Sequence, residues 1–266
     1  MELAPRSGAF IELTALTTEV CDLLHLCADQ LAETSSVPDP TVAVRRYLDE
    51  FLPARKTAYR LGCQMPDRSL CGMVGLHTLP WDSSTYGCKM GRIDSLLALG
   101  DQERQRQIKR SLLQAVLREA RGQGYGHLTC RVGVRDHSSL HALEDVGFRS
   151  MDVQITLLCL LRDKQLLSSP SVPPDLVVAP YHPHDLASLQ TLSAEAFNHS
   201  RFFVDTRLPK DATKRLYAQW VYNDCNGRAQ LVVVARMGDQ PVGYIACLLH
   251  PEAQYGMPAY GEIDLI

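Results

Sequence analysis

Apolar side chains recur at Ile108, Leu112, Ala115, Val116 and Ala120, spacing that keeps them on one face of a helix. Arg106, Lys109, Arg110, Gln114, Arg118 and Arg121 fall mostly on the other side. The pattern predicts a helix over 101–121 that lies on one side of a sheet. Gly122 and Gly124 close it, where left-handed backbone suits glycine. An extended apolar run, 90–99, precedes this helix. A second run, 127–132, follows, and a short helical segment, 138–145, leads into Val146, Gly147 and Phe148. Strand, helix, strand is a βαβ unit, and the helix is long enough for a parallel crossover.

Upstream, Val20, Leu23, Leu24, Cys27 and Leu31 give 17–33 one apolar helical face, with Thr17 or Thr18 as cap. A second helix is expected over 41–51. Runs 57–63 and 70–76 predict two strands around a turn at Pro66, Asp67 and Arg68. Gly72 and Gly75 point to a bulge or a close backbone approach. Residues 79–87 are expected to form a loop, with Trp81 packed under it.

Downstream, the apolar run 153–161 predicts a last strand of the first half. A Ser/Pro cluster at 168–174 then breaks the pattern and marks a boundary. The expected division is 1–165, a linker at 166–175, and a second domain at 176–266. In the second half, 176–179 predicts a strand and 184–197 a helix. A further helix at 210–223 bears Leu216, Trp220 and Val221, and strands at 230–237 and 242–249 flank a turn at Gly238. Gly91-Arg-Ile-Asp94 and Gly261-Glu-Ile-Asp264 each follow an apolar hairpin strand, about 170 residues apart, a tandem-duplication spacing. On that pattern the second copy is incomplete at Ile266.

Composition narrows the classes. The chain has 266 residues, 45% of them hydrophobic and 21% charged, ordinary values for a globular protein. A net charge of −3 argues against nucleic acid or an anionic membrane as main partner. No apolar run approaches the roughly 20 residues that span a bilayer, and the N-terminus lacks a signal-peptide pattern. Nine cysteines are scattered without metal spacing, which fits reduced thiols and a cytoplasmic location. Zinc or redox chemistry is not expected.

The βαβ unit, with its segment Asp136-x-x-Ser-Leu-x-Ala-Leu-x-x-Val-Gly-Phe148, resembles the core of the GNAT superfamily of acyl-CoA-dependent N-acyltransferases. The resemblance implies an α/β fold: two GNAT-like mixed sheets flanked by helices, in tandem. It also implies acetyl-CoA or another acyl-CoA as donor and a small-molecule primary amine as acceptor. Two departures matter. Leu143 stands where the family often has a tyrosine acid. The family's glycine-rich pyrophosphate turn is replaced by Asp101-Gln-Glu-Arg-Gln105. Glycines let backbone N–H groups approach a phosphate at a helix N-terminus, so the first half is expected to have lost its cofactor site.

Ser200-Arg201-Phe202, Tyr217-x-x-Trp220 and Pro80-Trp81-Asp82 resemble a narrower group, the TDP-fucosamine acetyltransferases, which act on nucleotide-activated amino sugars. The resemblance makes Arg201, Phe203 and His199 candidates for the acceptor site. Arg201 suits bidentate oxyanion contacts; its bland role is a surface pair with Asp205. Leu265 and Ile266, at the end of the donor-like strand, would offer backbone groups to pantetheine. Glu262 and Asp264 share one strand face. Glu262 is the candidate general base, because Asp94 repeats Asp264 while Arg92 replaces Glu262. His182 and His184 are weak metal candidates. A non-catalytic scaffold of degenerate GNAT units, and a GNAT-like domain acting on a carrier-bound acyl group, are the rival expectations. Homo-oligomerisation is left open.

Overall fold

The computed structural model describes residues 9–31, 39–51, 59–157, 159, 173–250 and 259–266. The chain divides into two compact units, Met1–Arg149 and Ser150–Ile266. The expected linker at 166–175 lies mostly outside the described residues.

The first unit is a five-stranded mixed sheet ordered β1-β2-β3-β4-β5. The strands are β1 (Ala9–Glu12), β2 (Tyr59–Gln64), β3 (Leu70–Thr78), β4 (Met90–Ala98) and β5 (His127–Cys130). The first four are antiparallel neighbours, and β4 and β5 are parallel. One side carries α1 (Thr18–Leu26) and α2 (Pro40–Arg46), whose Val20, Leu23, Leu24 and Val44 pack on Leu13, Met73 and Leu97. The other side carries α4 (Gln102–Gly122) and α5 (His137–Asp145). There Ile108, Leu112, Val116 and Ala120 meet Leu61, Val74, Leu76 and Ile93. Burying each such aliphatic side chain contributes about 1.5–3 kcal/mol. The alternation of Met73 with Val74, and of Leu96 with Leu97, lets one strand serve both cores.

Four expectations need correction. Residues 79–87 are not a loop: α3 (Pro80–Tyr86) occupies them, with Pro80 in its first turn and Gly87 in left-handed backbone at its C-cap. Proline is preorganised there and glycine fits there. Trp81 is exposed rather than packed. The helix expected over 17–33 stops at Leu26 and passes into a 3-10 turn, Ala28–Gln30. The strand expected over 153–161 is absent from its described residues, and Val153, Ile155 and Leu157 are exposed. Lys109, assigned to the solvent face of α4, is fully buried. It turns toward α5, where Asp136 supplies a charge partner.

The second unit has a four-stranded sheet ordered β6-β7-β8-β9. Its strands are β6 (Leu176–Pro180), β7 (Leu231–Met237), β8 (Gln240–His250) and β9 (Tyr260–Leu265). All neighbours are antiparallel. The mixed character expected of this sheet is therefore not seen among the described residues, since no crossover helix and parallel strand accompany it. Helices α6 (Leu186–Ala196), α7 (Arg201–Val204) and α8 (Lys210–Asn223) connect β6 to β7. Leu189, Leu216 and Val221 of α6 and α8 are buried, as are Val232, Val234, Tyr244, Ala246 and Leu265 of the sheet.

The two units use the same strand register. Cys63 pairs with Gly72 and Gln64 with Leu70, which leaves Cys71 as a bulge. Ala235 pairs with Gly243 and Arg236 with Pro241, which leaves Val242 as a bulge. Leu76 faces Ile93 and Thr78 faces Gly91; Cys247 faces Ile263 and Leu249 faces Gly261. Further along, β4 and β9 each take up extra residues against their partners. In β4 one of these, Ser95, has a positive φ of 49°. Bulges are placed by sequence and persist because shifting one would turn every later side chain to the wrong face.

Gly72 and Gly243 occupy the same register position but differ in surroundings. A Cβ at Gly72 would lie 2.7 Å from Ile108 Cγ2 and 2.8 Å from the Leu97 carbonyl oxygen. A Cβ at Gly243 meets nothing within 4 Å. Gly72→Ala is expected to cost about 1–3 kcal/mol through overpacking, and Gly243→Ala to be near neutral. Thermal unfolding of both variants checks this; equal shifts would refute it.

Candidate active site

The candidate residues of the second unit lie in two places. The first is a run of aromatic and charged side chains along α7, α8 and β9. Tyr217 stacks on Phe197 with ring centroids 4.5 Å apart and on Trp220 at 6.1 Å, while Phe202 meets it edge-on at 6.4 Å. The three-residue spacing of Tyr217 and Trp220 puts both on one face of α8. Trp220 Nε1 donates to Asp264 Oδ2 at 2.8 Å. Arg228 donates to both Asp264 and Asp224.

Burial alone would raise the Asp264 pKa, but the Arg228 and Trp220 donors outweigh it and hold this carboxyl below its ordinary value. Asp224 shows the opposite balance: burial raises it, and its Oδ2 is buried without a hydrogen-bond partner. Asp264 thus fastens β9 to α8. In the first unit Asp94 sits at the equivalent place on β4. Its Oδ1 accepts from Ser95 Oγ at 3.0 Å. Its Oδ2 lies 2.9 Å from His77 Nδ1, a close contact not aligned as a hydrogen bond.

Arg201 does not pair with Asp205, because Arg207 takes that carboxylate at 2.7 Å. Instead, the Arg201 guanidinium lies 4.2 Å from the centroid of the Phe202 ring, and its backbone N–H donates to Asp152. His199 is exposed in the turn before α7. Phe203 is half-buried under Lys210, whose Nζ is 5.4 Å from the ring centroid and donates to the Phe203 carbonyl.

Glu262 lies in the second place, on the early part of β9. Its Oε2 is 3.3 Å from His250 Nε2, and the His250 ring stacks on Tyr260 at 4.2 Å. The carboxylate is half exposed and so open to an acceptor. No described contact joins Glu262 to the Arg201 cluster. Leu265 is buried, whereas Ile266 is exposed and lines a cavity of about 390 Å3 with Phe197, Tyr244 and Ile245. Sequence reasoning missed His250 and Arg228. A histidine twelve residues from a glutamate carries no local signal; only the β8–β9 pairing joins them.

His182 is the N-cap of the 3-10 turn Pro183–Asp185: its Nδ1 accepts from the His184 backbone N–H, and its own N–H donates to Asp185. Among the described residues no group of three or more ligand side chains could hold a metal. No helix of the described residues is long and apolar enough to cross a membrane.

In the first unit, the start of α4 is closed by its own side chain. Asp101 is the N-cap and its Oδ1 accepts from the Arg104 backbone at 2.9 Å, with Glu103 in the first turn. A capping carboxylate takes one of the N–H donors that a phosphate would use.

No protein-family profile matches the sequence. Over 73 residues the chain is 33% identical to the spore coat polysaccharide biosynthesis protein SpsD of Bacillus subtilis, a match covering 27% of this chain. The chain thus spans about a quarter of the length of that curated relative, 25%. Among solved structures it is similar to a putative acetyl transferase from Pyrococcus furiosus, with a TM-score of 0.43 and 16% identity over 57% of this chain and 100% of that one. It is also similar to glucosamine-6-phosphate N-acetyltransferase from Arabidopsis thaliana, with a TM-score of 0.38 and 10% identity over 56% of this chain and 98% of that one.

Proposed function

We propose that this chain serves as a GNAT-type N-acyltransferase that moves an acetyl or other acyl group from acyl-CoA to a primary amine. One observation carries the reading. In the first unit β4 and β5 pair only from Met90 to Ile93 against His127 to Cys130, and β4 then runs on to Ala98 paired with β3 but with no described strand on its β5 side. A crossover helix between two parallel strands that part midway is the arrangement in which the GNAT family seats its donor. The shared register of the two units supports a tandem duplication, with the donor-like strand of the second copy at β9.

In this reading the acceptor amine lies near Glu262, which takes its proton as nitrogen attacks the thioester carbonyl. The carbon–sulfur bond breaks and the thiolate leaves. Backbone N–H groups of Leu265 and Ile266 hold the pantetheine and the developing oxyanion. Arg201, with Phe203 and His199, binds the acceptor. The name of the polysaccharide-biosynthesis relative favours an amino sugar, nucleotide-activated as in the group that the Ser200-Arg201-Phe202 turn resembles. Thiol release from acetyl-CoA, measured with a panel of amino-sugar nucleotides and simple amines, tests the proposal. Release that no amine accelerates would reject it.

A second reading, a non-catalytic scaffold of degenerate GNAT units, has its own observation. Asp101 caps the start of α4 and takes the Arg104 N–H where a pyrophosphate would bind, which favours a first unit without donor. The isolated first half, residues 1–165, is expected to show no saturable acetyl-CoA binding tighter than about 0.1 mM, roughly 5.5 kcal/mol. Calorimetric titration checks this, and a tighter isotherm would return the donor to the first unit.

A further inference from the structure

Cys63 and Cys71 meet at the bulge between β2 and β3. Cys63 pairs with Gly72 and Gln64 with Leu70, so Cys71 is the extra residue of β3. The bulge turns its side chain to the α4 side, where Cys63 also points, and both join one core cluster. Cys71 Sγ donates to the Cys63 carbonyl oxygen at 3.3 Å, and the two thiols hydrogen-bond each other. Neighbouring strands lie about 4.7–4.9 Å apart, and a disulfide spans Cα separations of about 4.4–6.8 Å. The bulge itself needs no sulfur, since the matching bulge of the second unit carries Ala235 and Val242 at these two positions.

Nor do the two thiols behave as simple buried hydrophobes. The Cys27 thiol is pushed up to about 12, chiefly by burial. Cys71 is also buried, yet its pKa shifts down. The Cys63 S–H favours the Cys71 thiolate most, burial opposes it, and the Arg104 charge adds support. Arg104 reaches over from the first turn of α4, and its Nη2 donates to Met65 Sδ at 3.4 Å. Cys63, the donor of the pair, shifts up. One thiol is thus readied as a nucleophile beside a second that stays protonated. Cysteine spacing alone carried no sign of this pair; the bulge creates it.

We propose that Cys63 and Cys71 form a peroxide-sensitive modification site, oxidised to a disulfide that staples β2 to β3 beside the start of α4. The inference does not depend on the acyl-transfer chemistry. The Cys71 thiolate attacks one oxygen of hydrogen peroxide, a molecule small enough to enter from the exposed turn 66–69. The O–O bond breaks, Cys71 becomes a sulfenic acid, and the other oxygen leaves as hydroxide. That hydroxide takes up the proton that Cys71 had released. The Cys63 sulfur then attacks the Cys71 sulfur. The S–S bond forms, the S–O bond breaks, and the departing hydroxide takes the Cys63 proton. Two thiols are oxidised by two electrons and the peroxide is reduced to two waters. Exchange with a small dithiol reverses the bond.

The test treats the whole 266-residue protein, fully reduced, with hydrogen peroxide at neutral pH. Free thiols are then alkylated and tryptic peptides mapped by mass spectrometry. Cleavage after Arg60, Arg68 and Lys89 puts the two cysteines on separate peptides, 61–68 and 69–89, and fragmentation separates Cys71 from Cys88. The expected product is a link between these peptides, sited at Cys71, two hydrogens lighter and reversed by dithiothreitol. It should exceed any other intramolecular link at least tenfold, and the oxidised protein should melt at a higher temperature than the reduced one. In Cys63→Ala the link vanishes and dimedone labels Cys71 instead. In Cys71→Ala, dimedone labelling of Cys63 should be at least tenfold weaker than that. A wild-type protein in which peroxide oxidises the exposed Cys159 but leaves 61–68 and 69–89 unlinked would overturn the proposal. So would a link that forms only in urea, or dimedone labelling of Cys63→Ala that misses Cys71.

Discussion

Replacing Asp136 by leucine is expected to destabilise the first unit by about 3–5 kcal/mol, the range for stranding a buried charge by removing its partner. Lys109 is fully buried, and its Nζ lies 3.0 and 3.1 Å from the two Asp136 oxygens and 2.9 Å from Ser138 Oγ. Asp136 also caps α5, accepting from the Ser139 N–H at 3.0 Å and the Ser139 hydroxyl at 2.6 Å. One side chain thus closes a helix start and neutralises the only charge that α4 buries. Burial lowers the Lys109 pKa, and the Asp136 charge works against that lowering. Without the carboxylate the ammonium has Ser138 alone among these partners. Asp136→Leu combined with Lys109→Met should recover much of the loss, because an apolar pair of similar volume needs no desolvation.

The pH dependence follows from the direction of the shift. Burial would raise the Asp136 pKa, but the Ser139 and Lys109 donors prevail and the folded value lies below the unfolded one. Its stabilisation is therefore complete above the unfolded value of about 3.9. It fades as pH falls through the folded value. The gap in stability between the wild type and Asp136→Leu should narrow below about pH 4. Urea titrations at pH 7 and pH 3 measure both effects. A loss under 1 kcal/mol at pH 7, or a gap that grows in acid, would contradict the account.

The second large effect concerns rate. Glu262→Gln is expected to lower acyl transfer by about 10²–10⁴-fold, the usual contribution of general acid–base assistance. Glutamine keeps the size of the side chain and its contact distance to His250 Nε2, 3.3 Å in the present structure, but it accepts no proton. If Glu262 is the base, KM for acetyl-CoA should stay near the wild-type value while kcat falls. A Gln variant with an undiminished kcat would remove Glu262 from the mechanism. Asp264→Asn should instead lower stability, since Asp264 ties Trp220 and Arg228 to β9.

Much of this protein was legible in the order of its residues. Periodicity at Ile108, Leu112 and Val116 determined α4 and its inner face, because a helix of that pattern has one way to hide its stripe. The Gly91 and Gly261 segments marked the strands that became β4 and β9 with matching registers. Local chemistry also determined the Asp136 cap. Other features depended on contacts distant in sequence. Lys109 looked like a solvent residue, because only the fold brings Asp136, twenty-seven positions later, against its amine. Apolar side chains at 153–157 suggested a strand, but a strand needs a neighbour to complete its hydrogen bonds, and none of the described residues supplies one. Glu262 met His250 only through the β8–β9 register. Val233, Val242 and Ile263 have the pattern of core residues, yet no described helix covers them. Sequence sets which faces are apolar; tertiary structure decides which of them are covered, since burial depends on what the rest of the chain brings to the other side.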